Sequence, residues 1–221
     1  MIRQNVSTHR LAPSLASLSG CLALAACGSS PPMRYYTLEA VALPVGSAVT
    51  ASPGSAPPNQ VALRVEPVVI PPELDRLELV SRSGPYRVHV ADSERWVAPL
   101  DDQIRRVLSD DLAAHLPARL VADPSEPASN EPRRLLSVAI VEFYADDECG
   151  ATLRADWTLR GPKSESLRGT EEIRSQGAAA CNTAVPAAMS AALGTLSERL
   201  ASAILAQPAP ATGPVAAATA P

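Results

Sequence analysis

Apolar residues recur along the chain with two different periods, which predict a mixture of strands and helices. Two long stretches, 99–117 and 184–206, carry apolar residues every three or four positions, as one buried face of a helix requires. Shorter alternating or continuous apolar runs, bounded by turn residues, are typical of strands. The predicted strands are 35–41, 61–70, 77–80, 86–90, 135–144, 151–160 and 167–174. We therefore expect a single α/β (α+β) domain, with a mixed, largely antiparallel sheet packed against two main helices.

The first predicted helix has a clear start and two distinct faces. Pro99 suits its first turn, and Asp101 and Asp102 favour the positive end of the helix dipole. Its apolar face consists of Leu100, Ile104, Val107, Leu108, Leu112 and Leu116. The opposite face carries charged residues that we expect to be exposed: Arg105, Arg106, Asp110 and Asp111. The second helix has the apolar stripe Val185, Met189, Ala192, Leu193, Leu196, Leu200, Ala203 and Ile204.

The strands after the first helix allow two predictions, the buried face of 135–144 and the pairing register of 151–160 with 167–174. In 135–144, Leu136, Val138 and Ile140 share a face, which the same alternation extends to Glu142. The strands 151–160 and 167–174 flank the turn 161–166 and should pair antiparallel. If opposed residue numbers sum to about 330, Trp157 lies near Ile173 and Cys149 near Cys181. We predict a Cys149–Cys181 disulfide, against the alternative of two buried free thiols.

The N-terminal residues have the features of an export signal. Residues 1–26 combine a basic start with an uncharged Leu/Ala/Ser-rich run, which is too short for a stable membrane-spanning helix. Leu24-Ala25-Ala26-Cys27 places small residues before a cysteine, as in a lipobox, so Cys27 is the predicted lipid attachment site. Cys21 ends a competing match, Leu18-Ser19-Gly20-Cys21, but lies inside the apolar run. An ordinary signal peptide with incidental cysteines is the alternative to lipidation.

Cleavage before Cys27 defines the rest of the organisation. Residues 27–34 then form a lipidated N-terminus and tether, and 35–206 form the folded domain. The segment 207–221 is a Pro/Ala-rich tail that we expect to be disordered. In enterobacteria, an Asp directly after the lipidated cysteine tends to retain a lipoprotein in the inner membrane. Gly28 stands at this position, so we expect the protein at the periplasmic face of the outer membrane.

Charge and motif content exclude several classes of function. The net charge of −4 becomes −6 when Arg3 and Arg10 leave with the signal, which argues against nucleic acid as a partner. His89 and His115 stand apart from any metal-ligand spacing, and no nucleophile elbow or phosphate-binding loop occurs. Asp146-Asp147-Glu148 is interpreted as a solvated turn rather than a cation site. We expect no catalytic residues, no metal and no cofactor.

Two stretches of the chain resemble a known family. The lipobox is followed by Tyr35-Tyr36-Thr37-Leu38, and Trp96-Val97-Ala98-Pro99-Leu100-Asp101-Asp102-Gln103-Ile104-Arg105 leads into the helix that closes on Leu116-Pro117. This pattern is similar to that of the PqiC-like ABC-type transport auxiliary lipoproteins of paraquat-inducible and MCE (mammalian cell entry) systems. The resemblance covers about 35–206 and departs in the cysteine pair, the Pro-rich 44–60 segment and the tail.

The resemblance implies a non-catalytic docking component of an envelope lipid-transport system. Its expected partners are an MCE-domain protein and the inner-membrane ABC permease and ATPase, with a ring-like homo-oligomer as one arrangement. The alternatives are a lipoprotein subunit of another outer-membrane assembly machine and a periplasmic lipid carrier with its own apolar pocket. Tyr35, Tyr36 and Trp96 could line an interface, but with seven aromatic side chains in the chain we expect them to be buried.

Overall fold

The computed structural model describes residues 31–41, 62–116, 121–122, 133–161, 165–176 and 181–206, without the side chains of 181–184. The predicted signal peptide, Cys27 and the tail lie outside the described residues. The described part contains seven strands and two helices. They are β1 (Arg34–Tyr36), β2 (Ala62–Val65), β3 (Glu78–Ser83), β4 (Arg87–Trp96), α1 (Leu100–His115), β5 (Arg133–Ala145), β6 (Ala151–Arg160), β7 (Ser166–Ser175) and α2 (Cys181–Leu205).

The strands form one mixed sheet, as the sequence predicted. Its order is β1-β4-β3-β5-β6-β7, and β2 pairs with β5 beside this path. The hairpin pairs β3–β4, β5–β6 and β6–β7 are antiparallel, whereas β1–β4 and β2–β5 are parallel. β3 also meets β5 in parallel at Ser81 and Ala145. The predicted α+β class is therefore confirmed.

The first predicted strand is much shorter in the structure than in the sequence analysis. The β-prone run 35–41 was expected to form one strand, but β1 ends at Tyr36. After Tyr36 the chain leaves the sheet, and the hydrogen bonds of its next residues go to side chains of the two helices. A β-prone sequence therefore lies outside the sheet here, because its backbone finds other partners.

The predicted register between β6 and β7 is wrong by about four residues. Trp157 pairs with Gly169 rather than with Ile173, and Ile173 pairs with Leu153. The hairpin closes tightly, because Arg160 pairs with Ser166 and the Gly161 amide donates to the Glu165 carbonyl at 2.7 Å. A Cβ on Gly169 would lie 2.8 Å from the Trp157 ring. The indole therefore occupies the space that only glycine leaves open on the paired strand.

A bulge in β5 overturns the predicted inward position of Glu142. Leu136, Val138 and Ile140 are buried as expected, but the pairing with β6 shifts between Ile140 and Glu142. One extra residue reverses the alternation, so Phe143 and Ala145 continue the buried face. Glu142 instead lies 3.7 Å from Arg82 in a partly exposed ion pair.

The core lies between the helices and one face of the sheet. α2 packs on β5, β6 and β7, and α1 packs on α2 and β2. Every second residue of β6 is buried, whereas Arg154, Asp156 and Arg160 are exposed on the other face. The largest fully buried side chains are Phe143, Leu38, Leu63, Ile104, Leu108, Leu112, Leu136, Leu153, Leu159, Met189, Leu193 and Leu196. None of the described helices is long and apolar enough to cross a membrane.

Candidate functional site

The segment that follows β1 joins the N-terminal side of the chain to the core. We name residues 37–41 the strap. Leu38 is completely buried, so the strap is anchored by a side chain in the main core. Because the strap continues directly from β1, it is the first part of the described chain that packs against both helices.

Helix α1 holds the strap by hydrogen bonds to its backbone. The Leu38 amide donates to Gln103 Oε1 at 2.9 Å, and Gln103 Nε2 donates to the Ala98 carbonyl at 2.8 Å. Arg106 Nη2 donates to the Leu38 carbonyl. Both backbone groups of Leu38 are therefore satisfied by side chains, which replaces the ladder that a strand would provide. Gln103 is buried even though it is polar, because both ends of its amide have partners.

The far end of the strap is held by both helices. The Val41 amide donates to Asp111 Oδ1 at 2.9 Å, and the Glu39 amide donates to Ser190 Oγ on α2 at 3.1 Å. Ser190 Oγ in turn donates to the Pro186 carbonyl at 2.8 Å. We name the side chains that hold the strap, Gln103, Arg106, Asp111 and Ser190, the clasp.

The structure corrects the predicted exposure of Asp111. Its residue is only 2% exposed, although the sequence analysis placed it on the charged face of α1. The position follows helix geometry, because Asp111 stands four residues after Val107 and so shares the buried stripe. The expectation of exposure came from the chemistry of aspartate rather than from the helical period. Asp110, one residue earlier, is exposed as predicted.

Burial changes the protonation behaviour of Asp111. Loss of hydration raises the pKa of its carboxyl to about 6, although the hydrogen bond from the Val41 amide works in the opposite direction. His115 also lowers this pKa, and the neighbouring Asp110 raises it. Asp111 Oδ2 accepts no hydrogen bond within 3.5 Å from the part of the chain that the structure describes. The buried Ser197 hydroxyl on α2 is nonetheless near enough to lower the pKa of Asp111, so this oxygen faces a polar group without a hydrogen bond of normal length.

The two sequence stretches that carry the family resemblance meet at β1. β1 pairs in parallel with the end of β4, and the Val97 amide donates to the Tyr36 carbonyl at 2.9 Å. Glu94 Oε1 lies 3.4 Å both from Arg34 Nη1 and from the Tyr36 hydroxyl. The segment 35–38 and the segment 96–106 are thus one contact region, which their sequence separation did not reveal.

The three aromatic residues of this region have different environments. Trp96 is buried and Tyr36 is half-buried, as expected. Tyr35 is 64% exposed, so the expectation of burial was wrong for this residue. Tyr35 pairs with Arg95 in the register of β1 and β4, on the opposite side from its neighbours Arg34 and Tyr36.

The predicted cysteine pair lies where β5 turns into β6 and where α2 begins. Cys149 is buried in the turn with φ 64°, a left-handed conformation that costs a non-glycine residue roughly 1–2 kcal/mol. Asp146 Oδ1 supports this turn by accepting hydrogen bonds from the amides of Glu148 and Gly150, at 3.0 and 2.7 Å. Cys181 is the first residue of α2, and its side chain is not among those that the structure describes. The disulfide therefore stays a prediction.

The histidines and acidic residues are dispersed. His89 is exposed on β4 and His115 is half-buried at the end of α1. Within the described ranges, no group of three or more His, Cys, Asp or Glu side chains is arranged to hold a metal ion. Asp146 uses its carboxylate to cap the β5–β6 turn, so this part of the acidic run has a structural partner.

Two surface cavities are lined by described residues. The larger, about 370 Å³, lies beside β5 and β6 and includes Glu66 and Asp156 in its wall. The smaller, about 220 Å³, lies between β3, β4 and the start of α2 and includes Glu94, Asp146 and Asp147. Both open to solvent and carry carboxylates, features that disfavour burial of an acyl chain.

The fold and the strap define a two-layer α+β domain attached to a preceding N-terminal segment. Comparison with known families shows that the chain belongs to the ABC-type transport auxiliary lipoprotein component family, whose model matches residues 36–201. The chain is 30% identical over 137 residues to the intermembrane transport lipoprotein PqiC of Escherichia coli (strain K12), and equally to that of Shigella flexneri. These matches cover 62% of this chain and 68% of each relative. It is therefore an envelope lipoprotein accessory to ABC-type transport.

Two crystal structures share the fold. One, of an uncharacterized protein, aligns with a TM-score of 0.65 and 19% identity over 79% of this chain and 99% of that chain. The other, of a Xanthomonas campestris protein, aligns with a TM-score of 0.58 and 16% identity over 79% and 95%. At these identities the likeness concerns the arrangement of strands and helices alone.

Proposed function

We propose that this protein is a periplasm-facing lipoprotein subunit of an MCE/Pqi-type ABC lipid-transport and envelope-integrity system. The supporting observation is the family match over residues 36–201, together with 30% identity to relatives named as intermembrane transport lipoproteins. Its role in this system is docking rather than chemistry. Its partners are an MCE-domain protein and the inner-membrane permease and ATPase, and self-association into a ring would present several docking surfaces at once.

The anchor of this subunit is the lipid on Cys27. Cleavage before Cys27 leaves only five residues between the lipidated cysteine and Met33, the residue that directly precedes β1. The strap then fixes the chain to both helices through Leu38 and the clasp. Because the tether is short and the clasp fixes the strap, the folded domain stays close to the membrane. This position suits a subunit that docks other components. We assign it to the periplasmic face of the outer membrane because Gly28 follows Cys27.

Removal of the lipidated cysteine tests the anchor. We expect Cys27→Ala to leave the fold intact, because the residue precedes the folded body, and to release or mislocalise the protein. Membrane fractionation and intact mass measure the two effects. Cys21→Ala is the matched control, since it removes the competing lipobox cysteine and should leave localisation unchanged. Normal sedimentation of Cys27→Ala with outer membranes contradicts the assignment.

An affinity pull-down tests the transport role. The lipidated protein is recovered from gently solubilised envelopes, and its partners are identified by mass spectrometry against a Cys27→Ala preparation as control. Recovery of an MCE-domain protein with its permease and ATPase supports the proposal. Recovery of outer-membrane assembly factors alone contradicts it and favours a subunit of a different assembly machine. Co-purified lipid without partners favours the lipid-carrier alternative.

We also propose that Cys149 and Cys181 form a disulfide that ties the β5–β6 turn to the start of α2. Such a bond would hold the strained turn conformation of Cys149 in place. Intact mass with and without reductant measures it, since reduction adds two hydrogens. Alkylation of two thiols in the unreduced, denatured protein contradicts the bond.

A further inference from the structure

We propose that Met33, Tyr35 and Val97 form a membrane-contact patch that rests on the bilayer holding the lipid anchor. The inference rests on the proposed attachment at Cys27 and adds a second, non-covalent contact with the same membrane. We name these three residues the tether-side patch. Its partner is the interfacial layer of the bilayer, where lipid headgroups meet the acyl chains.

The three side chains are exposed and lie at the edge of the sheet, where β1 pairs with the end of β4. Met33, Tyr35 and Val97 are 41%, 64% and 62% exposed, although all three are large and apolar or aromatic. Tyr35 pairs with Arg95 across β1 and β4. Met33 directly precedes β1, and Val97 directly follows β4 and donates its amide to the Tyr36 carbonyl at 2.9 Å. The three residues therefore lie together where β1 pairs with the end of β4.

The tether begins at this patch. Five residues separate Cys27 from Met33, so six Cα–Cα steps join them, and at no more than about 3.6 Å per step an extended chain spans roughly 22 Å. Lipid on Cys27 therefore holds the patch within that distance of the membrane surface at all times. A contact between tethered groups needs only weak intrinsic affinity, because the tether raises the local concentration of each group near the other.

The chemistry of the patch suits the bilayer interface. A tyrosine has an apolar ring and a polar hydroxyl, and such side chains concentrate where hydrocarbon meets headgroups. The nearby arginines are neutralised within the protein, since Arg34 lies 3.4 Å from Glu94 and Arg95 lies 3.3 Å from Glu78. The contact should therefore depend on apolar burial and should respond little to salt or to anionic lipid.

The hairpin of β3 and β4 supplies a matched control. Tyr86 is 99% exposed at its turn, at the opposite end of β4 from Trp96. Ten residues of strand span about 33 Å. Tyr86 is thus an exposed tyrosine on the same sheet, remote from the tether.

The experiment places a tryptophan at each end of β4. Lipidated full-length Tyr35→Trp and Tyr86→Trp variants are incorporated into phosphatidylcholine vesicles whose acyl chains carry bromine near the headgroups. Bromine quenches tryptophan on contact, and the buried Trp96 and Trp157 contribute the same background to both variants. We expect a blue shift and a loss of fluorescence for Tyr35→Trp but not for Tyr86→Trp, unchanged when salt is raised.

The remaining outcomes separate the patch from the anchor. Equal quenching of both variants, or of neither in protein that floats with the vesicles, overturns the patch and leaves the anchor standing. A blue shift of Tyr35→Trp without bromine quenching shows that a second copy covers these residues, and it also overturns the patch. Protein that lacks acyl mass and does not float overturns the anchor itself, and the patch with it.

Discussion

The two helices share one core but contribute to it in different ways. α2 buries mainly small and aliphatic residues, such as Ala188, Ala192 and Leu196, against β5, β6 and β7. α1 buries an aliphatic stripe and also Gln103 and Asp111, which bind backbone groups of the strap. α2 therefore chiefly fills volume and binds the strap through one side chain, Ser190, whereas α1 binds it through three, Gln103, Arg106 and Asp111. The comparison suggests that global stability and attachment of the strap can be perturbed separately.

The largest loss of stability should come from shortening a buried side chain of α2. Leu196 is completely buried, and replacing a buried leucine with alanine typically costs about 2–5 kcal/mol through lost burial and the cavity left behind. We expect Leu196→Ala to lower the free energy of unfolding by that amount in urea titrations. Exposed Glu198→Ala on the same helix is the control and should change it by less than about 0.5 kcal/mol.

Amide hydrogen exchange of Leu196→Ala tests whether global stability and attachment of the strap can be perturbed separately. The strap amides of Leu196→Ala should exchange faster only in proportion to the global loss of stability. Selective exposure of residues 37–41 in this variant would show that the packing of α2, and not only its Ser190 hydroxyl, determines the position of the strap.

A smaller and more local effect is expected from Gln103→Ala. The change leaves the buried Leu38 amide without its acceptor and the Ala98 carbonyl without its donor. An unsatisfied buried polar group costs about 1–3 kcal/mol. We expect the Leu38 and Val41 amides to lose protection more than the strands do, measured by hydrogen exchange. Exposed Asp102→Ala is the control on the same helix, and equal loss of protection in strap and sheet contradicts a local role.

The next effect depends on pH and tests the buried carboxyl of α1. The pKa of Asp111 rises from an ordinary value of 3.8 to about 6 on folding. Between these values the folded state holds a proton that the unfolded state has released, so this group lowers stability as pH rises. The loss is complete about one unit above the folded-state pKa of about 6, and it amounts to about 2–3 kcal/mol at roughly 1.36 kcal/mol per pKa unit.

Asp111→Asn isolates this contribution. The amide oxygen can still accept from the Val41 amide, and the cost of burying a charge disappears. We expect the variant to gain stability relative to the wild type as pH rises from about 4 to 6, and to keep the gain at neutral pH. Urea titrations of both proteins across this range measure the difference. If the wild type instead becomes more stable relative to the variant as pH rises, the raised pKa of Asp111 is contradicted.

The elements of this fold follow largely from the periodicity of the sequence. The stripe of Ile104, Val107 and Leu108 predicted α1, and the run 151–160 before the turn 161–166 predicted β6. Hydrophobic burial depends on local spacing, which a single sequence shows directly. The lipidation proposed at Cys27 also comes from a short linear pattern, which needs no tertiary structure to be recognised, and it stays a prediction.

The features that the sequence did not reveal depend on contacts between distant segments. The strap leaves the sheet and binds Gln103 and Asp111 through its backbone, and nothing local in 37–41 shows this. The β6–β7 register follows from a tight turn and from the indole over Gly169. The bulge after Ile140 likewise appears only once β6 is in place. Strict use of the helical period, however, would have placed Asp111 on the buried stripe.

The smallest net effect, and the sharpest probe of how the helices share the strap, should come from Gly194→Ala in α2. A Cβ at Gly194 would lie 2.7 Å from Val41 Cγ2 and 3.0 Å from Val41 Cβ, so the strap must move to admit it. Alanine favours a helix interior over glycine by about 1 kcal/mol, which offsets much of that cost. We expect global stability to change by less than about 1 kcal/mol, while the Val41 amide loses protection as its bond to Asp111 lengthens. Hydrogen exchange at Val41 against Leu38 measures this, and unchanged protection at Val41 would show that the strap end adjusts without leaving Asp111.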